Sequence, residues 1–250
     1  MKDEGDLAKL PEMADLWQET LNWQPDASQQ AQFQNFYALI LESNRQLNLT
    51  RITEPSEFWE KHLWDSLRGI LRLLNSPFPH PSPFQAIDIG TGAGIPGVPV
   101  AIVRPDWTVT LLDSTRKKIN FVQSAVETLK LENIKTAVDR VEQIGHDRYH
   151  REHYDLALIR AVATASVCAE YTLPLLKVGG VAILYRGQWT TDEAQGLALA
   201  VEQLGGSIEA TDGFVTPRTQ STRHCIYLRK VAPTPTIFPR TIGIPTQDPL

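Results

Sequence analysis

The stretch that decides the fold runs from Ala86 to Gly97 and reads Ala-Ile-Asp-Ile-Gly-Thr-Gly-Ala-Gly-Ile-Pro-Gly. An apolar run ends at Ile89, glycines follow at alternate positions, and Pro96 stands where the first turn of a helix tolerates proline. Glycine permits positive φ angles and leaves the backbone bare, so that a ligand can approach it closely. We therefore predict a strand, a ligand-binding glycine turn and a helix.

Strands and helices alternate on both sides of this turn, which predicts an α/β fold with a mostly parallel sheet. The turn at 216–222 is too short and polar for a helix, so the last two strands must pair antiparallel. Helices are predicted at 96–103, 116–130, 164–173 and 191–204. The seven predicted strands are 84–89, 107–112, 134–138, 154–160, 180–186, 207–215 and 223–229.

Two amphipathic helices precede the sheet, one over Gln30–Leu49 and one that begins near Pro55 and ends near Leu74. Alternating prolines then force an extended connector. The C-terminal residues are rich in proline and threonine, which predicts an extended tail. The resulting organisation is a helical prefix at 1–75, a connector at 76–83, a main domain at 84–230 and a tail at 231–250.

Composition narrows the class of protein. The 250 residues are 42% hydrophobic, with two cysteines and a net charge of −5. No run approaches the roughly 20 apolar residues of a membrane span, and the N-terminus lacks the pattern of a secretory signal. We expect a cytoplasmic protein with no membrane contact. The negative charge argues against a protein that coats nucleic acid non-specifically, but it leaves room for a local basic face.

Two cofactors compete for the glycine turn. Gly92–Gly97 formally matches the nicotinamide-cofactor fingerprint, which predicts a reductase. That fingerprint opens directly after its strand, whereas the first glycine here is Gly90. Counted from Asp88, the chain reads Asp-x-Gly-x-Gly-x-Gly, which resembles the first motif of class I S-adenosylmethionine methyltransferases. A binding measurement with each cofactor would distinguish the reductase from the methyltransferase.

A carboxylate follows the second predicted strand at Asp113, where it can accept both ribose hydroxyls of a nucleoside. The alternative is that Asp113 caps the helix beginning near Ser114. Asp139–Glu142 follow the third strand, where the methyltransferase pattern places contacts to adenine.

Further motifs extend over nearly the whole chain, and through them the sequence resembles the bacterial 16S ribosomal RNA guanine-N7 methyltransferase G family, also called glucose-inhibited division protein B. The resemblance implies the seven-stranded, Rossmann-like class I methyltransferase fold. Two positions depart from the family pattern: Ser43 replaces a tryptophan, and Arg186 stands where lysine is usual. The motifs are Asn44–Thr50, Lys61–Ser66, Asp88–Pro99, Leu112–Ser114, Asp139–Glu142, Arg160–Ala163, Phe238–Arg240 and Gly243–Pro245.

The resemblance implies S-adenosylmethionine as cofactor and 16S ribosomal RNA or the small ribosomal subunit as partner. RNA binding needs cations and polar groups in the prefix or near the carboxyl edge of the sheet, and the candidates are Arg45, Asn48, Arg186, Arg218 and Arg223. Arg116–Lys118 is more typical of a solvated helix face. The glycine turn and the family's contacts together give the expected cofactor site, which comprises Gly90, Gly92, Gly94, Ile95, Asp113, Ser114, Thr115, Val141, Glu142 and Arg160.

The methyl acceptor can be narrowed by chemistry. Methylation of cytosine C5 needs a cysteine at the end of the fourth strand, but Cys168 lies in the following helix. Methylation of an adenine amino group typically shows an Asn/Asp-Pro-Pro-aromatic motif there, and the chain reads Ile-Arg-Ala-Val at 159–162. Guanine N7 carries a lone pair and no proton, so its methylation needs positioning rather than a general base.

The remaining alternatives are a methyltransferase of the same fold that acts on a small molecule or protein, and a non-enzymatic RNA-binding module. The helical prefix and the tail favour an RNA substrate over a small one. His146, His150 and His153 match no zinc-site spacing, so we predict no metal. His62 is ambiguous between a structural and a site-lining role.

Overall fold

The computed structural model describes residues 9–74 and 84–250, and a seven-stranded sheet forms its centre. The spatial order is β3-β2-β1-β4-β5-β7-β6. The strands β1 to β5 are parallel to one another, whereas β7 is antiparallel to both β5 and β6. The strands are β1 (Phe84–Ile89), β2 (Trp107–Asp113), β3 (Ile134–Val138), β4 (Tyr154–Arg160), β5 (Leu176–Arg186), β6 (Gly206–Val215) and β7 (Thr222–Lys230).

Helices cover both faces of the sheet, as the predicted α/β class requires. A π-helical segment (Trp59–Trp64) joins α3 to α4, and a short 3₁₀ turn (Leu173–Leu175) follows α9. The α-helices are α1 (Ala14–Leu21), α2 (Ala27–Leu47), α3 (Pro55–Phe58), α4 (Asp65–Gly69), α5 (Leu71–Leu74), α6 (Gly97–Val103), α7 (Arg116–Leu129), α8 (Val141–Ile144), α9 (Ala165–Thr172), α10 (Thr191–Gln203) and α11 (Ile244–Gln247).

The strands bury both faces because their apolar side chains alternate between two cores. Ala86 belongs to a core shared with the prefix helices, α6 and α7. Its neighbour Ile87 belongs to the opposite core, which is shared with α9 and α10. The prefix therefore packs directly onto one face of the sheet.

Local sequence explains where the prefix helices begin and end. The Asp26 side chain accepts the Gln29 N–H at 2.8 Å and the Gln29 side chain accepts the Asp26 N–H at 3.0 Å, a capping box that begins α2 three residues before the predicted Gln30. Asn48 ends it in the left-handed conformation, at φ 49°. Pro55 opens α3 in the first turn, as predicted.

The predicted fold class is confirmed, including the closing antiparallel pair, while several bounds move. The strand predicted at 180–186 begins at Leu176, and the predicted second prefix helix is divided between α3, the π segment, α4 and α5. The tail is irregular apart from α11, which has Pro245 in its first turn. Residues 76–83 lie outside the described residues, so the division into prefix, connector, domain and tail stays a prediction. Among the described residues, none of the helices has the length and hydrophobicity of a transmembrane span.

Candidate cofactor and substrate site

The glycine turn lies at the carboxyl edge of the sheet, between the ends of β1 and β2. Gly90, Gly92 and Gly94 all have positive φ angles, at 70°, 59° and 89°. The N–H groups of Gly90 and Thr91 donate to the Leu112 carbonyl at 2.8 and 2.9 Å. A Cβ at Gly90 would come within 2.7 Å of Val162 Cγ2. The turn therefore presents bare backbone at the point where the strand order reverses, which is the usual ligand crevice of such sheets.

Asp88 holds this turn from below. Its Oδ2 accepts the Thr91 hydroxyl at 2.6 Å and the Gly97 N–H at 2.8 Å, whereas Oδ1 is buried without a hydrogen-bond partner among the described residues. Burial raises the pKa of Asp88 to about 6, against the effect of these hydrogen bonds. The carboxyl group is thus a structural clamp on the turn.

Asp113 holds the turn from the side. Its Oδ2 accepts the Gly92 N–H at 3.0 Å, and its Oδ1 accepts the Thr115 N–H at 2.8 Å. The residue preceding α7 is Thr115, so Asp113 is not the N-cap of that helix. The side chain is only 7% exposed, and the exposed part opens on the cavity described next.

A cavity of about 320 Å³ lies over the turn. Its walls combine bare backbone, the carboxylates of Asp113 and Asp139, the cations Lys118 and Arg140, and apolar side chains, a mixture of groups that suits a nucleoside. Sequence reasoning did not name several of its members as contacts: Tyr171 lies in no motif, Val162 lies within the motif Arg160–Ala163, and Thr246 follows the tail motif that ends at Pro245. The lining residues are Ile89, Gly90, Leu112, Asp113, Ser114, Thr115, Lys118, Asp139, Arg140, Val141, Ala161, Val162, Tyr171 and Thr246.

Glu142 lies behind this cavity rather than in its wall and joins it to the tail. Its carboxylate accepts the Arg140 guanidinium at 2.8 Å, the Tyr171 hydroxyl at 3.2 Å and the Gly243 N–H at 3.2 Å. Burial opposes ionisation, but these hydrogen bonds outweigh it and hold the pKa of Glu142 below its usual value. The tail is further fixed by Arg240, which pairs with the fully buried Glu170 at 2.8 Å.

A second cavity, of about 640 Å³, lies between the prefix and the same edge of the sheet. It meets the first at Ala161, which lines both. Its walls carry four cations and two carboxylates, so it is net positive. The lining residues are Ile52, Lys61, His62, Asp65, Arg160, Ala161, Tyr185, Arg186, Gly187, Gln188, Glu193 and Arg223.

Arg160, which ends β4, extends into this second cavity. Its guanidinium donates to the Lys61 carbonyl at 2.8 Å and to Asp65 Oδ2 at 3.1 Å. Burial raises the pKa of Asp65, while Arg160 and Arg223 oppose that rise. Arg160 was expected to bind the cofactor; it lines the second cavity and not the first, and its contact with the cofactor stays a prediction.

His62 ties the two prefix motifs to β4. Its Nε2 lies 2.8 Å from the Thr50 hydroxyl, and its Nδ1 lies 3.2 Å from a guanidinium nitrogen of Arg160. Thr50 is itself held by Asn44, whose side chain bonds both its N–H and its carbonyl. Burial and the nearby Arg160 lower the pKa of His62 to about 3, so the ring is neutral at physiological pH. Both motifs therefore shape the wall of the second cavity.

Some of the other predicted cofactor residues line the first cavity, and others are packed against the prefix. Gly90, Asp113, Ser114, Thr115 and Val141 line the first cavity. Gly94 and Ile95 instead face the prefix: a Cβ at Gly94 would lie 3.5 Å from Phe36 Cζ, and Ile95 is buried in the core shared with the prefix.

The predicted RNA contacts also divide. Arg186 and Arg223 line the second cavity, and Arg186 is held there by Glu193 and the Ala163 carbonyl. Arg45, Asn48 and Arg218 are exposed outside it. The backbone of Arg218 is fixed because its N–H and that of Thr219 donate to the buried Glu60.

Cys168 is buried in α9, and burial raises the pKa of its thiol to about 11. A thiol in this state is not an available nucleophile at neutral pH, in keeping with the exclusion of cytosine C5 chemistry. Two of the clustered histidines have structural partners: His146 bonds the Pro239 carbonyl at 2.7 Å and His150 bonds the Tyr154 hydroxyl at 2.6 Å.

Comparison with known families matches residues 29–224 to the model of rRNA small subunit methyltransferase G. The relative named ribosomal RNA small subunit methyltransferase G from Trichormus variabilis is 64% identical over 241 residues, which cover 96% of this chain and 98% of the relative. The protein of the same name from Trichodesmium erythraeum is 56% identical over 248 residues, which cover 99% and 97%.

Solved structures match the fold at low identity. A SAM-dependent methyltransferase from Aquifex aeolicus superimposes with a TM-score of 0.52 at 14% identity, over 74% of this chain and 97% of that one. The CMeT domain of the citrinin polyketide synthase gives 0.53 at 13% identity, over 68% and 53%. These likenesses concern the architecture of the sheet and its helices alone.

Proposed function

Because this chain belongs to the rRNA small subunit methyltransferase G family, we propose that it transfers the methyl group of S-adenosylmethionine to N7 of a guanine in 16S ribosomal RNA. The observation that carries the proposal is the junction of two unlike cavities at Ala161. One has the groups that a nucleoside requires, and the other is cationic. A methyl donor in the first and an RNA base in the second would meet at this junction.

The first cavity suits the nucleoside part of the cofactor. Asp113 would accept the ribose hydroxyls, Gly90 would lie under the ligand without a side chain in the way, and Val141 would pack against the adenine ring. S-adenosylmethionine supplies an electrophilic methyl group on a sulfonium sulfur when it is bound. The chain's own contribution is to hold that group at a fixed place and to exclude water from it.

The second cavity suits a flipped-out nucleotide. Lys61, Arg160 and Arg223 place positive charge where RNA phosphates would approach. N7 lies in the deep, narrow major groove of an A-form helix, so the target base must come from a loop or a distorted segment. The N7 lone pair carries no proton, so the transfer needs no general base. The site can therefore work although His62 stays neutral and Cys168 is buried, because the reaction depends on the position of the base and on the charges around it.

Methylation of defined RNA tests the proposal. Purified protein is incubated with tritiated S-adenosylmethionine and with naked 16S RNA or small subunits from a strain that lacks its own copy of this methyltransferase. Borohydride reduction and aniline cleavage then map any N7-methylguanine. We expect label at a guanine in one or both substrates. Label in protein or small metabolites instead, or RNA binding that is indifferent to S-adenosylmethionine without any transfer, would contradict the proposal.

A further inference from the structure

We propose that Asp65 reads the Watson–Crick edge of the target guanine and thereby determines the base specificity of the reaction. This inference rests on the proposed function and adds to it the residue that distinguishes guanine from other purines. It follows from the free oxygen of Asp65, from the cavity into which that oxygen opens, and from the arrangement of donors on guanine.

Asp65 begins α4, directly after the π segment, and its side chain is 12% exposed. Its Oδ2 is held by Arg160 at 3.1 Å. Its Oδ1 has no hydrogen-bond partner among the described residues and, unlike Oδ1 of Asp88, is not sealed from solvent. Because Asp65 lines the second cavity, the group is a carboxylate with one oxygen anchored and the other available to a ligand.

The other carboxylate of this cavity, Glu193, is already paired with a cation. Glu193 pairs with Arg186, which also donates to the Ala163 carbonyl. Arg160 bonds Asp65 directly, and the charges of Arg160 and Arg223 oppose the rise that burial causes in the pKa of Asp65. Among the described residues that line the second cavity, Asp65 is thus the carboxylate best placed to accept hydrogen bonds from a base.

The chemistry of guanine matches this acceptor. Guanine carries two donors, N1–H and the N2 amino group, on the edge opposite N7, so a base with N7 turned toward the cofactor cavity presents both donors to the far wall. The free Oδ1 of the carboxylate would accept from one of these donors, and Oδ2, which keeps a second lone pair beside its bond to Arg160, would accept from the other. Adenine has a lone pair at N1, which a carboxylate repels. Reading a base by its Watson–Crick edge is the usual means of recognition once the base has left its helix.

The same carboxylate assists the transfer. As the N7 lone pair forms the bond to the methyl carbon, the bond from sulfur to that carbon breaks and its electron pair stays on sulfur. The positive charge of the sulfonium thereby passes to the guanine ring, and no proton moves. A fixed negative charge at the far edge of the ring stabilises the developing charge in a partly desolvated cavity.

Replacement of guanine by inosine tests the inference, because inosine lacks only the N2 amino group. Small subunits are reconstituted with 16S RNA that carries guanine or inosine at the methylated position. Wild-type protein should show a kcat/KM roughly 10- to 100-fold lower on inosine, the cost of one hydrogen bond to a charged group. Asp65→Asn should be slower on guanine and should treat the two bases nearly alike.

Asp155→Asn is the matched control, because Asp155 also pairs with a cation, Lys177, but at the opposite end of β4. This variant should keep the wild-type preference for guanine. Circular dichroism melting checks that each variant is folded. Should Asp65→Asn unfold, the double variant Asp65→Asn/Arg160→Gln removes both charges of the pair and is measured in the same way.

Two results would overturn the inference while leaving the proposed function intact. The first is wild-type protein that methylates guanine and inosine equally. The second is an Asp65 variant that is slower on both bases by the same factor, since that would make Asp65 only an anchor for Arg160. Wild-type protein that methylates no guanine of the RNA at all would instead refute the proposed function and this inference with it.

Discussion

The Oδ2 atom of Asp113 accepts a 3.0 Å hydrogen bond from the backbone N–H of Gly92, which ties the end of β2 to the glycine turn that follows β1. One carboxylate therefore shapes the turn and also faces the cavity above it. Binding of a nucleoside at this edge would use the same group twice, as a support for the turn and as a hydrogen-bond acceptor.

We expect Asp113→Ala to weaken S-adenosylmethionine binding by about 1.5 to 3 kcal/mol for each ribose hydrogen bond that it removes. Isothermal titration calorimetry measures the loss. Asp113→Asn keeps an acceptor for the Gly92 N–H but loses the charge, so its affinity should lie in between. Asp15→Ala, on the exposed surface of α1, is the control. Unchanged affinity in the Asp113 variants would reduce Asp113 to a structural residue.

Gly92 and Gly97 should respond differently to substitution. A Cβ at Gly92 would have 3.9 Å to its nearest neighbour but would carry a φ of +59°, whereas a Cβ at Gly97 would lie 2.1 Å from Leu111 Cδ2. Gly92→Val should cost at least about 1 to 2 kcal/mol of backbone strain and abolish cofactor binding in a protein that still folds. Gly97→Ala should lower stability by about 1 to 3 kcal/mol through overpacking. Thermal melts measure the stability losses and calorimetry measures cofactor affinity, and a folded Gly92→Val protein that binds the cofactor as tightly as wild type would refute the contrast.

Arg160 is expected to serve both stability and RNA binding. Arg160→Ala leaves Asp65 without its partner, and loss of one member of a buried pair costs about 3 to 5 kcal/mol. Affinity for S-adenosylmethionine should be nearly unchanged, because the guanidinium lies in the second cavity. If it also contacts a phosphate, the salt dependence of RNA binding should flatten by about one unit of slope.

Cofactor titrations and RNA titrations over a range of salt concentrations measure these effects. A fall in cofactor affinity with an unaltered salt slope would instead assign Arg160 to the carboxylate of the cofactor's methionine.

His62 should make stability depend on pH. Its pKa is lowered to about 3 by burial and by Arg160, and the ordinary value in an unfolded chain is about 6.5. Between these values the unfolded state binds a proton that the folded state excludes. His62 therefore contributes a stability that is complete above about pH 6.5 and is lost as pH falls toward 3, at up to about 1.4 kcal/mol per pH unit.

Urea unfolding of wild type and His62→Gln across this window measures the difference. The free energy of unfolding of the variant should fall less steeply as pH falls. Asp88 adds a pH dependence of its own to both proteins. Burial raises the pKa of Asp88 to about 6, so its stabilising contribution is complete below about pH 4, its ordinary range, and is lost as pH rises through 6. The Asp88 contribution thus has the opposite sign. Curves for wild type and His62→Gln that run parallel would exclude the role assigned to His62.

The tail should affect the cofactor site from a distance. Arg240→Ala leaves the fully buried Glu170 without its ion-pair partner, and we expect a stability loss of about 3 to 5 kcal/mol. We also expect weaker S-adenosylmethionine binding, because Thr246 of the tail lines the first cavity, the proposed cofactor site. Arg229→Ala, which breaks an exposed pair with Glu209, should cost less than about 1 kcal/mol. Full cofactor affinity in the Arg240 variant would show that the tail does not contribute to cofactor binding.

Local sequence patterns were sufficient to predict much of the fold. The apolar run that ends at Ile89, directly before the glycine turn, identifies β1, and the polar turn at 216–222 implies the antiparallel closing pair. The bounds were less certain, because they depend on contacts made outside each element: α2 begins early through the Asp26 capping box, and a π segment interrupts the second prefix helix. Neither feature alters the apolar periodicity from which the helices were predicted.

By itself the sequence determined the order of strands and helices, the glycine turn and the carboxylate of Asp113 beside it, since those follow from short-range spacing and from the edge at which parallel strands end. Only the tertiary structure decided which side chains share a cavity. Arg160 contacts Lys61 across 99 residues of sequence, and Thr246, from the tail, lines the first cavity. Such contacts arise when the prefix and the tail bury apolar surface against opposite faces of one sheet. The free energy that places them is therefore spread over the whole core rather than encoded at the site.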